Sequence, residues 1–213
     1  MLRKPSGSTS RSLEAQNDHS FRTTEIAFRH LSGAWEHYRL KAPHAWHRGV
    51  GNDDNRFGRS EYMIARREFS FHESEEYTQS IASIIFSHVW ILSAANYFRQ
   101  KQKVKGGNKE YRVTATHSPD RLASQLKLPE VVIESARQLH NMRNSIMHLI
   151  ESDPRSEDIL EVGFEDAYTY AKTVWVINNA LLRENGIRPD KGNWRIQVGF
   201  YSLPATLHGQ PKI

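Results

Sequence analysis

The chain has 213 residues, of which 38% are hydrophobic and 25% charged, enough for one domain with an elaboration and a core of ordinary size. It contains no cysteine, which excludes a disulfide framework, a thiolate metal site and a cysteine nucleophile, and suits a reducing cytosol. A net charge of +5 favours encounters with phosphates without identifying a nucleic-acid binder.

The first stretch, "MLRKPSGSTSRS", has basic residues and serines but no apolar run, so residues 1 to 20 read as a flexible basic tail rather than a secretory signal. From Phe21 to Leu40, Ala27, Leu31, Ala34, Trp35 and Tyr38 recur at helical spacing, with Pro43 beyond. Between Pro43 and His72 the pattern breaks at "HRGVGNDDNRFGRS", a run of turn formers that reads as a long loop. A second helix is expected from Ser74 as N-cap, with Glu75 and Glu76 complementing its positive end. Its apolar stripe is Ile81, Ile84, Ile85, His88, Leu92 and Ala95. The run "SIASIIFSHVWILSAANYF" approaches a membrane span in length, but its polar residues favour a central bundle helix, with no membrane and a cytoplasmic location.

Ser118 and Pro119 open a short helix, and Pro129-Glu130 starts a longer one to about Glu151. The last long helix covers about Glu165 to Glu184 and stops at Asn185-Gly186. In "NWRIQVGFY" the alternation of Trp194, Ile196, Val198 and Phe200 suggests a strand, with "YRVTAT" (111 to 116) as its partner. The expected architecture is all-α: an antiparallel four- to five-helix bundle over residues 21–186, with a long loop between its first two helices and a small β appendage in a C-terminal extension, 187–213.

One residue breaks the pattern of its helix. Leu139, Ile146 and Ile150 share an apolar face with Arg143, which is followed by Asn144 and, five residues on, His148. Residues at i and i+5 lie about 140° apart, so Arg143 and His148 do not share a face, whereas Asn144 and His148 do. Arg143 is then either a snorkelling side chain beside a surface His, or half of a site. An Arg that keeps its charge, near a His that titrates close to neutrality, suits a phosphate.

"RNSIMH", residues 143 to 148, resembles the Arg-polar-x-x-x-His motif of HEPN domains in its commonest form, with Asn after the Arg. "HVWILSAANYFR" is similar to the hydrophobic second helix of that family, and the order of long helices agrees over residues 21–186. The resemblance implies a homodimer whose motif helices face each other across a basic cleft, forming one composite, metal-independent endoribonuclease site. It assigns the scissile phosphate to Arg143, acid/base work to His148, and to Asn144 the orienting of His148 or a phosphate oxygen. It implies single-stranded RNA as substrate, no cofactor, and a role as a toxin or phage-defence effector with a cognate antitoxin or defence partner. There is one departure: many toxin members carry a Tyr two residues after the motif His, where this chain has Ile150.

His140, one turn before Asn144, either lines the same cleft as an RNA contact or is a solvated helix residue. Arg48, Arg56 and Arg59, among Trp46, Phe57 and Tyr62, have the basic-aromatic composition that holds single-stranded bases; packing of those rings on the bundle is the simpler reading. His37, His44, His47 and His72 lack the spacing of a metal site. Two rivals to the ribonuclease stay open: a catalytically silent HEPN-like module that binds RNA or nucleotides, and an interaction protein working through a partner.

Overall fold

A computed structural model describes residues 7–49, 59–104, 118–151, 161–189 and 194–207. Six α-helices occupy these segments, and no strand occurs among the described residues. Helix α1 spans Gly7–Lys41. It starts well inside the stretch expected as a flexible tail, where Leu13-Glu14-Ala15-Gln16 are good helix formers that the serine-rich beginning obscures. A 3-10 helix, Ala42–Gly49, follows directly; Pro43 has no amide hydrogen with which to continue α1.

Helix α2 runs from Arg59 to Val104, 46 residues, or roughly 70 Å at 1.5 Å per residue. The expected long loop is therefore shorter. Ser74 is no N-cap but a mid-helix residue whose carbonyl accepts the Thr78 hydroxyl. The early turns carry a weak helical signal because their inward stripe is narrow: Ala65 and Phe69 are buried, while Arg66 and Arg67 face water. By length and composition α2 could cross a membrane, yet half of its most apolar window is buried against other helices. Glu76, expected near a helix end, is buried mid-helix. It pairs with Lys41 of α1 and accepts the Phe164 amide at the start of the fifth helix, so one carboxylate joins three elements.

Helix α3, Pro119–Gln125, begins at the expected Ser118-Pro119 pair, although the Ser118 hydroxyl makes no capping bond. Helix α4 is Glu130–Glu151 and α5 is Phe164–Glu184. Gly186 sits at φ 70°, a left-handed turn that glycine adopts without strain and that ends α5 where Asn185-Gly186 signalled.

The core lies where α1, α2, α4 and α5 meet. Phe164, Ala167, Tyr168, Ala171, Val174, Ile177 and Leu181 form the fully buried face of α5. Opposite them stand Phe28 and Leu31 of α1, Ile84 and Ile91 of α2, and Leu139 and Ile146 of α4.

The expected β appendage is overturned in its described half. Trp194–Gly199 is helix α6. Trp194 and Val198 are buried one turn apart while Phe200 is 66% exposed, so the apparent alternation conceals an i, i+4 pair. The Trp194 indole donates to the Tyr168 hydroxyl, which donates to the Pro204 carbonyl, and Tyr201 stacks on Phe28 at 5.1 Å. The segment is part of the core rather than an extension. The proposed partner strand, 111 to 116, falls outside the described residues.

Candidate functional site

Arg143 stands on the inward face of α4 between two buried neighbours, Leu139 and Ile146, yet is itself only half-buried. Its guanidinium Nη1 donates to the Asn144 side-chain oxygen at 3.1 Å. The other end of that amide, Nδ2, lies 3.3 Å from Nε2 of His140 one turn back. His140 Nδ1 in turn meets Nε2 of His88, on α2, at 3.1 Å. The two imidazoles are within 23° of coplanar with centroids 5.4 Å apart, about as far as rings in such contact can sit, so their nitrogens meet head-on. A continuous polar line therefore crosses from α2 to α4 and ends at a guanidinium.

His88 anchors that line from inside, at 6% exposure. Burial, then the electrostatic influence of His140 and Arg143, lowers its pKa from 6.5 to about 4, so the ring is neutral at ordinary pH. Sequence reasoning placed His88 in the apolar stripe of its helix without a functional part. The available signal was a lone titratable group between Ile84 and Ile91; its partner on another helix is not readable from spacing. His140 is likewise no solvated residue: it is half-buried, and both ring nitrogens are occupied by protein partners.

His148 is exposed, one turn beyond Asn144. Among the described residues no hydrogen bond joins it to Arg143 or Asn144, and no carboxylate pairs with Arg143. Within one chain the structure thus gathers Arg143, Asn144, His140 and His88, and leaves His148 beside them, facing solvent.

The other basic candidates are elsewhere. Arg48 pairs with Glu73 at 2.6 Å and lies over the Phe69 ring at 4.2 Å. Arg59 is the first residue of α2 and is exposed. Along α2, Phe69 and Arg59 precede His88 by 19 and 29 positions, roughly 30 and 45 Å of helix. Arg48 and Arg59 therefore do not line the Arg143 site of the same chain. Arg56 and Phe57 lie outside the described residues. Trp46 and Tyr62 meet edge-on at 6.3 Å.

Of the four histidines considered for a metal, His37 and His72 meet Nδ1 to Nδ1 at 3.0 Å, again head-on with centroids 5.3 Å apart. That alignment is a hydrogen bond's; a chelate would turn both lone pairs toward a common point off the line. The His47 ring meets its neighbour's backbone, His44 O, at 2.8 Å.

The fold and site define an all-α protein with a guanidinium–amide–imidazole line between its second and fourth helices. No family model, curated protein or solved structure matches the chain.

Proposed function

We propose that the protein is a metal-independent endoribonuclease of HEPN type, acting on single-stranded RNA as a homodimer in the cytoplasm. One observation supports this most: the Arg143 guanidinium is unpaired with any carboxylate among the described residues, is held by Asn144, and stands less than two turns from the exposed His148. A structural Arg beside a helix seam ordinarily pairs with an acid. This one is aimed by an amide and keeps donors free for an anion.

In this reading the 2′-hydroxyl of the substrate attacks the adjacent phosphorus while the bond to the 5′-oxygen breaks. Arg143 holds the phosphate oxygens and stabilises the charge that builds on them. His148 takes the proton from the attacking hydroxyl and, as the imidazolium so formed, returns it to the leaving oxygen. The products are a 2′,3′-cyclic phosphate and a 5′-hydroxyl. Arg143 and His148 point about 140° apart on one helix, so the working pair joins Arg143 of one protomer to the partner subunit's His148. A toxin or phage-defence role, held in check by a cognate antitoxin or partner protein, fits such an activity.

The same separation favours one alternative, a catalytically silent RNA- or nucleotide-binding module in which Arg143 holds phosphate and His148 does nothing. Incubation of the purified protein with single-stranded RNA in excess EDTA separates the two. Cleavage with cyclic-phosphate ends is the expected result. Binding without cleavage would leave the silent module, and cleavage abolished by EDTA would end the metal-independent mechanism.

A further inference from the structure

The contacts on α4 allow a single assignment of protons. A guanidinium carries donors only, so Asn144 must turn its oxygen to Arg143 and its amino group to His140. That amino group donates, so His140 accepts at Nε2 and carries its own proton on Nδ1. Nδ1–H then donates to Nε2 of His88. Three hydrogen bonds among four side chains on two helices thus run in one direction, fixed at one end by the group that does not lose its proton. Reversing any member sets two donors or two acceptors face to face.

We propose that His88 is the positioning residue of this site. Standing on α2, it accepts the last hydrogen bond of the line and so holds the His140 ring, and through it the Asn144 amide and the Arg143 guanidinium, in place. Its consequence for turnover rests on the ribonuclease reading; the hydrogen bonds do not. An arginine left untethered explores many rotamers, and only a few present two parallel N–H donors to a phosphate. The anchor suits its task because it is buried and because α2, packed against α1, α4 and α5, is a central element of the bundle. Neutrality is essential to it: a charged His88 would present N–H to N–H. The facing groups that bear on it are His140 and Arg143 of α4, and both disfavour that charge.

Two measurements test the assignment. In 15N NMR spectra at about pH 8, above the range in which an ordinary imidazole is charged, His88 and His140 should both carry their proton on Nδ1, and the Arg143 Nη–H signals should show slowed rotation. His88→Leu should free the His140 ring and let Arg143 rotate freely, while His88→Gln, whose amide oxygen lies near the Nε2 position, should restore both to their places. In RNA cleavage, His88→Leu should lower kcat on the order of 10- to 100-fold with KM little changed, and His88→Gln should regain most of the loss. A proton on Nε2 of His140, an imidazolium at His88, or unaltered Arg143 signals in His88→Leu would overturn the proposal. Should His88→Leu fail to fold, the wild-type tautomers and the His88→Gln protein decide. If wild-type protein cuts no RNA, the nuclease reading falls and the NMR result alone judges the positioning role.

Discussion

Two histidine pairs bridge helices among the described residues, and they differ in what lies beyond them. His37 of α1 and His72 of α2 meet head-on at 3.0 Å, and among the described residues their line of bonds reaches no other side chain. His88 of α2 and His140 of α4 meet in the same way at 3.1 Å, but the second nitrogen of His140 passes the contact on to Asn144 and Arg143. The first pair ties two helices together. The second ties a helix to a charge. A buried imidazole pair is ordinary packing until its outer nitrogen is engaged, and then it can hold a reactive group in place.

If that difference matters, the two lines should respond differently to substitution. The largest effects belong at the outer end of the second. His148→Ala should lower the cleavage rate about 10²- to 10⁴-fold, the usual contribution of a general acid/base, with an unchanged melting temperature because the residue is exposed. Arg143→Lys keeps the charge and loses the paired donors, so turnover should fall by on the order of 3–4 kcal/mol in activation free energy, with RNA binding weakened far less. Steady-state kinetics beside thermal melting checks both; a Lys variant that cuts RNA at the wild-type rate would make Arg143 a snorkelling residue after all.

A smaller effect separates the inner end. In the unfolded chain His88 takes up its proton near pH 6.5, and in the fold only near 4. Between these values the unfolded state binds more protons, so the stability due to neutral His88 is complete above 6.5 and is lost as pH falls toward 4, by roughly 3 kcal/mol at most. Urea denaturation from pH 7 to 4 should show wild-type protein losing more stability than His88→Gln by about that amount. Equal losses would mean that His88 is not held neutral.

The smallest effect is expected at the other pair. His37→Phe removes one half-buried hydrogen bond, costing about 1 kcal/mol, and should leave RNA cleavage untouched. A loss of activity there would erase the contrast between the two lines.

Much of the fold was legible because its signals are local. Ser118-Pro119, Pro129-Glu130 and Asn185-Gly186 each mark a helix end by backbone chemistry that needs no tertiary partner. The start of α2 was not, since its first turns bury only a narrow stripe amid charged residues. Trp194 and Val198 misled because four residues of separation satisfy both a strand's period and a helix's. Glu76 looked like a helix-end charge, and only the arrival of Lys41 and the Phe164 amide explains its burial. The site divided in the same way. Arg143, Asn144 and His148 share one helix and are singled out by the resemblance of that one short stretch; His88 meets His140 across 52 positions, a distance in sequence that no periodicity spans.

Complementation between inactive protomers tests the central claim most directly, that Arg143 and His148 form a metal-independent nuclease across a dimer. Arg143→Ala and His148→Ala proteins are mixed in EDTA, subunit exchange is verified, and RNA cleavage is followed. Each heterodimer retains one Arg143 and, on the opposite chain, one His148. Cleavage that reappears on mixing, where neither variant cuts alone, is the expected result; a mixture that exchanges subunits yet stays inactive would contradict the account.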